Sequence, residues 1–113
     1  MSDPRLPDFL EHMQQATADA IAFTEGMSQD DFLADKRTQQ AVILSLIVLG
    51  EAATKVMDRY PEFANANAQI PWRNMRGMRN RIAHGYFDIN LELVWDTVKN
   101  ALPPLVDALR ELG

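Results

Sequence analysis

The sequence predicts an all-α fold, an up-and-down bundle of four to five helices forming one domain over residues 1–113. Apolar residues recur at the three- and four-residue spacing of amphipathic helices along most of the chain. Prolines, glycines and cap-forming side chains fall between these stretches, where helices begin and end. The chain is long enough for a single hydrophobic core but not for two. These observations favour a helical bundle over any sheet-containing fold.

The first helix is predicted to begin at Asp3 and Pro4, a cap residue followed by a first-turn proline, and to stop near Gly26. A short capped turn or helix should follow over residues 28–33. The apolar face of the first helix consists of Leu6, Phe9, Leu10, Met13, Ala16, Ala20 and Phe23.

The second long helix is predicted from about Asp35 to Tyr60, where Pro61 ends it. Its centre, residues 41–49, is apolar on nearly every side. This pattern fits a helix enclosed by its own bundle and equally a helix that turns one face to a second subunit. The apolar stretch is about half of the ~20 residues that span a bilayer, which favours a buried helix over a membrane segment.

An Asn- and Ala-rich connection is predicted over residues 62–70, followed by a third helix from Pro71, at its first position, to about Ala83. Gly85 is expected to end this helix with a positive φ. The last helix should open with Asn90 as cap, and Pro103 with Pro104 should kink or restart it. Its inward face comprises Leu91, Val94, Trp95, Val98 and Leu102, continued by Leu105, Leu109 and Leu112.

The charge is unevenly distributed along the chain. The net charge is −5, yet residues 71–86 contain four arginines and no acid, leaving seven basic and sixteen acidic residues elsewhere. A cationic patch on an acidic body can bind phosphate locally, which makes Arg73, Arg76 and Arg81 candidate RNA contacts. The alternative is that these arginines pair with acidic neighbours.

The absence of cysteine excludes disulfides and thiolate metal sites and fits a reducing cytoplasm. The N-terminus lacks the pattern of a secretory signal, so a cytoplasmic protein with no membrane partner is expected. The two histidines, His12 and His84, lack metal-ligand spacing, and no nucleotide loop or serine-nucleophile motif is evident. No cofactor is therefore predicted.

The residues suited to chemistry are concentrated in the run from Arg79 to Tyr86. Cleavage of RNA requires deprotonation of a ribose 2′-OH, stabilisation of an anionic phosphorane and protonation of the leaving 5′ oxygen. His84 is suited to the proton transfers, Arg79 to the phosphoryl charge, and Asn80 to orienting either group. Because the nucleophile is internal to RNA, this reaction needs no metal. The alternative role for His84 is that of a cation at a helix C-terminus.

The spacing of Arg79 and His84 poses a geometric question. Five positions on an α-helix correspond to about 500° of rotation, which leaves the two residues about 140° apart. Both could border one groove if the helix ends or bends near His84. Alternatively, a two-fold dimer could bring the motifs of two chains together.

With its flanks, the run Arg79-Asn80-x3-His84-Gly85-Tyr86 resembles the HEPN superfamily and specifically the HepT-like toxins. The likeness extends over essentially the whole chain, including Leu49-Gly50-Glu51-Ala52-Ala53, Ile70-Pro71-Trp72, Gly77-Met78-Arg79-Asn80 and Val94-Trp95.

This resemblance implies an all-α homodimer that acts as a metal-independent endoribonuclease toxin, with Arg79, Asn80 and His84 in the catalytic motif. It also implies an antitoxin of the MNT nucleotidyltransferase type that can transfer AMP to Tyr86. Glu51 is expected to support the site by pairing with an arginine of the motif helix.

Two alternatives to a ribonuclease toxin stay open at the level of sequence. The first is a non-catalytic module that binds a nucleotide or the nucleotidyltransferase. The second reverses the roles, so that the nucleotidyltransferase is toxic and this chain is its substrate or cofactor.

Overall fold

The computed structural model describes residues 5–112 and confirms the all-α fold. The predicted cap at Asp3 and Pro4 lies outside the described residues. A 3₁₀ turn at Tyr86–Asp88 and a π-helical turn at Thr97–Ala101 accompany the α-helices. The α-helices are α1 Arg5–Phe23, α2 Gln29–Leu33, α3 Lys36–Arg59, α4 Pro61–Ala66, α5 Trp72–His84, α6 Leu91–Asp96 and α7 Leu102–Glu111.

Helix α3 lies at the centre of the bundle, with α1 packed along one side and α5 along another. Helix α7 returns to pack on α1, and α2 contacts α6. The α2–α6 contact joins the rings of Phe32 and Trp95, whose centroids are 5.5 Å apart. Fully buried side chains from α1, α2, α3 and the last helical segment form one core, including Met13, Phe32, Val42, Leu46, Val56, Val98 and Leu109.

Within residues 5–112, the structure confirms the predicted end of the first helix and the predicted starts of α2 and α3. Gly26 follows α1 with a φ of 78°, a left-handed conformation that glycine adopts without steric cost. Ser28 and Asp31 form a capping box at α2, each side chain accepting a hydrogen bond from the other residue's backbone N–H. Asp35 caps α3 by accepting bonds from the N–H and the hydroxyl of Thr38. These bonds lower the pKa of Asp35 below its ordinary value of 3.8.

Helix α3 is long and apolar enough, by length and composition, to cross a membrane. Half of its most apolar stretch is buried inside the bundle, as is usual for the core helix of a soluble protein. Its apolar centre is not fully enclosed, however, because Leu44 and Val48 are 61% and 39% exposed.

The predicted connection over residues 62–70 is partly wrong, because α4 occupies Pro61–Ala66. Pro61 both prevents α3 from continuing and provides the fixed φ of a first helical turn, so it separates two helices. Pro71 is the residue before α5 and not its first helical position, and α5 extends to His84, one residue beyond the prediction.

The predicted positive φ of Gly85 is wrong: its φ is −126°. The chain leaves α5 through a bond from the Gly85 N–H to the Arg81 carbonyl (2.9 Å) and then tightens into the 3₁₀ turn. A Cβ on residue 85 would lie 3.1 Å from that same carbonyl oxygen. Glycine here permits a close backbone approach and is not needed for left-handed geometry.

The predicted cap at Asn90 and the interruption near Pro103 are both confirmed. The Asn90 side chain accepts a bond from the Leu93 N–H at 3.0 Å and so caps α6. Neither Pro103 nor Pro104 can donate to the carbonyl four residues earlier. The helix widens into the π turn at Thr97–Ala101 immediately before them, and α7 restarts at Leu102.

Candidate functional site

The position of α5 is set by a close contact with Gly50 of α3. A Cβ on Gly50 would lie 2.8 Å from the Met75 carbonyl oxygen and would overlap the Cβ of Arg79. Only a residue without a side chain allows this approach. Gly50 therefore brings the middle of α5 against α3 and places Arg79 at the contact.

Arg79 is held by two side chains of α3. Its Nη1 donates to Glu51 Oε1 at 2.8 Å and its Nη2 donates to Thr54 Oγ1 at 3.2 Å. The Thr54 hydroxyl in turn donates to the Gly50 carbonyl at 2.8 Å, so its lone pairs face the guanidinium. The Nε of Arg79 is buried without a hydrogen-bond partner. The predicted pairing of Glu51 with an arginine of the motif helix is present.

Thr54 was not identified from the sequence. A threonine one turn beyond Glu51 on an amphipathic helix carries no charge and belongs to no motif. Its proximity to Arg79 depends on how closely the two helices approach, a distance that the sequence does not encode in any local pattern.

His84 is the last residue of α5 and is exposed. Within residues 5–112 its imidazole makes no hydrogen bond or ion pair. Because α5 is α-helical from Trp72 to His84, the Cα atoms of Arg79 and His84 remain about 140° apart around the helix axis. The α-helix is not interrupted between them. The structure thus brings Arg79 together with Glu51 and Thr54, and not with His84.

Residues of α5 spaced three and four apart form a polar line that we call the α5 stripe: Arg73, Gly77, Asn80 and His84. All but the half-buried Gly77 are exposed. Arg81 lies alongside, and its Nη1 would be 3.5 Å from a Cβ placed on Gly77. In the described part of the chain, Arg73 and Arg81 make no ion pair or side-chain hydrogen bond.

The four arginines of α5 therefore divide into two pairs. Arg76 binds Asp58 through its Nη2 at 2.6 Å, just as Arg79 binds Glu51. The alternative of arginines paired with acidic neighbours is correct for these two. It does not describe Arg73 and Arg81, which form no ion pair within the described residues.

A cavity of about 520 Å³ opens between α4 and the first turn of α5, and we call it the α5 cleft. Its lining includes Trp72, a nearly buried residue whose ring is fixed by a hydrogen bond from its Nε1 to the Asn67 carbonyl (3.1 Å). An edge-on contact with Phe63 further holds this ring. The polar lining is contributed by Asp58, Asn65, Arg73, Asn74 and Arg76.

Tyr86 projects from the 3₁₀ turn just beyond His84 and is 51% exposed. Its ring meets Phe87 edge-on, and Phe87 is 98% exposed. Both rings border a shallow cavity of about 190 Å³ that is shared with Lys36, Gln39 and Gln40 of α3. A phenol and an apolar ring are thus exposed two and three residues after His84.

Over residues 5–112, no three histidine or acidic side chains come together in an arrangement that could hold a metal ion. His12 lies on the exposed side of α1, in a different helix from His84.

Comparison with known proteins shows what this chain is similar to. Residues 13–112 match the family model described as ribonuclease HepT-like. A "Putative RNase" of Methanocaldococcus jannaschii is 42% identical over 95% of this chain and 83% of its own length. A "Probable ribonuclease HepT" of Thermococcus cleftensis is 36% identical over 93% of each chain. A further "Putative RNase", from Caldanaerobacter subterraneus, is 32% identical over 99% of this chain and 96% of its own length. No solved structure gives a significant match.

Proposed function

The chain belongs to the ribonuclease HepT-like family, and we propose that it is an endoribonuclease toxin of the cytoplasm that cleaves RNA with Arg79 and His84. The observation that carries this proposal is the arrangement on α5. One arginine is held in place by Glu51 and Thr54, and an unpaired imidazole ends the same helix. Together they provide a fixed cation and a free proton carrier for a phosphodiester.

The proposed reaction uses the ribose 2′-OH of the substrate as nucleophile. His84 accepts the 2′ proton as the 2′ oxygen attacks the adjacent phosphorus, and the P–O5′ bond breaks. The 5′ oxygen then takes up a proton from an imidazolium, which leaves a 2′,3′-cyclic phosphate and a 5′-hydroxyl. Arg79 stabilises the negative charge of the phosphorane, and Asn80 orients the phosphate. The reaction requires no metal in this form.

A second copy of the chain is proposed to complete the site. One patch of the bundle, which we call the α3 patch, is formed by Phe23, Leu44 and Val48, exposed by 45%, 61% and 39%. Glu51 follows Val48 by three residues on the same face of α3 and binds Arg79. A partner that covers this patch lies next to Arg79. A homodimer could therefore place the Arg79 of one chain beside the His84 of the other, which one chain alone does not do.

We further propose that an MNT-type nucleotidyltransferase antitoxin controls the site through Tyr86. The exposed phenol oxygen would attack the α-phosphorus of ATP, releasing pyrophosphate and a proton and leaving AMP on the tyrosine. The bulk and negative charge of that group would occupy space next to His84 and exclude RNA. Mass spectrometry after incubation with the partner and ATP should locate AMP on Tyr86. An adduct that persists in Tyr86→Phe would contradict this assignment.

The ribonuclease proposal is tested with purified variants and by expression in cells. Wild-type protein should arrest growth and cleave RNA to products with cyclic-phosphate ends. His84→Ala and Arg79→Ala should each lower the cleavage rate by roughly 100-fold or more while retaining the helical circular dichroism spectrum. Arg110→Ala, which removes an exposed arginine of α7 paired only weakly with Asp107, serves as the control and should cleave normally.

Cleavage by His84→Ala at the wild-type rate would overturn the catalytic assignment. A wild-type protein that cleaves no RNA but binds its nucleotidyltransferase tightly would instead favour a non-catalytic binding module. The near-complete exposure of Phe87 beside Tyr86 is the observation that favours that second candidate, since an apolar ring in solvent suits a protein contact. Expression of each gene of the pair alone decides which of the two proteins is toxic.

A further inference from the structure

Gly77 occupies a position where the fold does not require glycine. It lies in the interior of α5, and Gly26 is the one described glycine with a positive φ. A Cβ on residue 77 would meet only Arg81 Nη1, at the ordinary contact distance of 3.5 Å. This contrasts with Gly50, where a Cβ would collide with α5. Glycine is unfavourable inside a helix, so its presence here suggests a use for the bare surface above it.

The surface around Gly77 is polar and cationic. Arg73 lies one turn before it, Asn80 and His84 follow it along the α5 stripe, and Arg81 borders it. No acidic residue occurs from Pro71 to Phe87. A surface of this kind, without a side chain at Gly77 and flanked by unpaired guanidinium groups, has the chemistry that binds the backbone of a single nucleic-acid strand.

The α5 stripe begins at the α5 cleft. Arg73 lines the cleft together with Trp72 and Arg76. The one acidic residue of its lining, Asp58, is bound to Arg76 at 2.6 Å, so the remaining net charge at the cleft is the positive charge of Arg73. A volume of about 520 Å³ accommodates a phosphate with its sugar and base.

From Arg73 to His84 the helix advances eleven residues, or about 16 Å at 1.5 Å per residue. At about 3.4 Å per stacked nucleotide, this distance corresponds to about five nucleotides. A strand lying along the stripe would therefore place one phosphate at His84 and another in the cleft.

We propose that the RNA strand next to the scissile bond lies along the α5 stripe and passes over Gly77. A distal phosphate of this strand is bound by Arg73 in the α5 cleft. We call this path the track. This inference rests on the proposed ribonuclease function and specifies how that site takes its substrate. It predicts that the enzyme reads several nucleotides on one side of the cleaved bond, and that Arg73 contributes to binding and not to the chemical step.

A second copy of this chain is another macromolecule that could cover the stripe. The charges argue against it, because two stripes facing one another would bring Arg73, Arg81 and their counterparts together without an intervening acid. The α3 patch, which is apolar, is the better surface for a second copy.

The test measures binding and cleavage separately. Two oligoribonucleotides carry the same scissile bond, one extended by six nucleotides on either side and one by a single nucleotide. Versions with a single 2′-deoxy sugar at the scissile bond lack the nucleophile, so their affinity can be measured whether or not the protein cleaves RNA. The variants are Arg73→Gln and Gly77→Leu, with Arg110→Gln of α7 as the control for lost positive charge.

We expect Arg73→Gln and Gly77→Leu to weaken binding of the long oligonucleotide by roughly tenfold and to leave the short one unchanged. For Arg73→Gln, the slope of log affinity against log salt concentration should fall by about 0.7, the value for one phosphate of a single strand. On the long substrate KM should rise while kcat is retained. Arg110→Gln should match the wild type throughout.

The proposed track would be wrong if Arg73→Gln and Gly77→Leu weaken binding of the long and short oligonucleotides equally, or weaken neither. This conclusion holds even if His84→Ala abolishes cleavage and the ribonuclease proposal stands. Loss of the dimer in Gly77→Leu would also overturn the track, since the glycine would then serve the contact between copies. If the wild type cleaves nothing, the ribonuclease proposal fails, yet a length-dependent loss of binding in both variants would still support the track.

Discussion

Arg79 differs from its neighbours on α5 in how completely its position is determined. Glu51 and Thr54 bind its two terminal nitrogens, and Gly50 lets its stem lie against α3. A flexible arginine loses rotamer entropy when it engages a phosphate, and a pre-positioned one has already lost it. At the scale of single residues, α3 thus prepares the cation that the proposed chemistry needs.

Replacing Glu51 by Gln should impair catalysis more than stability. The ion pair is exposed enough that its loss should cost less than about 1 kcal/mol in unfolding free energy. A guanidinium that is no longer held in one orientation should lower kcat by roughly 10- to 100-fold with little change in KM. Steady-state cleavage and thermal unfolding measure the two effects.

Asp107→Asn, which removes the weaker ion pair of α7, is the control for Glu51→Gln and should alter neither kcat nor the melting temperature appreciably. A Glu51→Gln variant with normal kcat would show that Thr54 and packing alone position Arg79.

The residue scale also shows where sequence reasoning succeeds. An acid in an apolar helix requires a partner, so the pairing of Glu51 with a motif arginine could be predicted. Thr54 could not, because a neutral hydroxyl acquires its role from the depth of helix packing at Gly50. Likewise, the sequence marks four arginines alike, and only the positions of Asp58 and Glu51 show which two are neutralised.

At the scale of elements, we predict that replacement of glycine by alanine has opposite effects on stability at Gly50 of α3 and at Gly77 of α5. Gly50→Ala should destabilise the protein by about 1–3 kcal/mol, because a Cβ meets the backbone of α5. Gly77→Ala should stabilise it by about 0.5–1 kcal/mol, because the methyl group fits and alanine favours helix. Chemical denaturation of both variants measures the difference. A stable Gly50→Ala would mean that α5 can move away from α3.

The cap of α3 should make stability depend on acidity. The folded-state pKa of Asp35 is lowered by its bonds from Thr38, so the carboxylate stabilises the fold above the unfolded value of about 3.8. That contribution is lost as the pH falls through the lower folded value. Asp35→Asn can still cap the helix but does not titrate. The melting temperature of the wild type should therefore exceed that of Asp35→Asn near neutral pH and approach it at strongly acidic pH.

Helix cores and side-chain caps could be predicted, whereas the transitions between helices could not. Ser28, Asp35 and Asn90 carry their capping atoms within three residues of the N–H they bind, so local sequence suffices. The end of α5 at Gly85 depends on the 3₁₀ turn that follows, in which the Asp88 N–H donates to the Gly85 carbonyl. The π turn at Thr97–Ala101 joins α6 to the proline-containing start of α7. None of its residues is of a type that predicts a π-helical turn from sequence.

At the scale of the whole molecule, the α3 patch is the exposed apolar surface that we propose a second copy covers. Leu44→Glu should shift the mass in solution from two chains to one and should reduce RNA cleavage in parallel, because a charge would be buried between the copies. Light scattering at several protein concentrations measures the first effect. Leu93→Glu, at a leucine of α6 that is 47% exposed, is the control and should leave the mass unchanged. If Leu93→Glu dissociates the dimer and Leu44→Glu does not, the interface between the copies lies on α6 and not at the α3 patch.

The composition of α5 has a further consequence for the whole molecule. The helix lacks a side-chain cap and an acid in its first turn, carries Arg73 and Arg76 near the positive end of its dipole, and contains Gly77. It is thus helical because α3 holds it and not by its own propensity. Amide hydrogens of α5 should exchange with solvent deuterium sooner than those of α3, which is buried along much of its length. The segment proposed to bind RNA would then open more readily than α3, and binding of RNA or of the proposed antitoxin should be detected as protection of its amides.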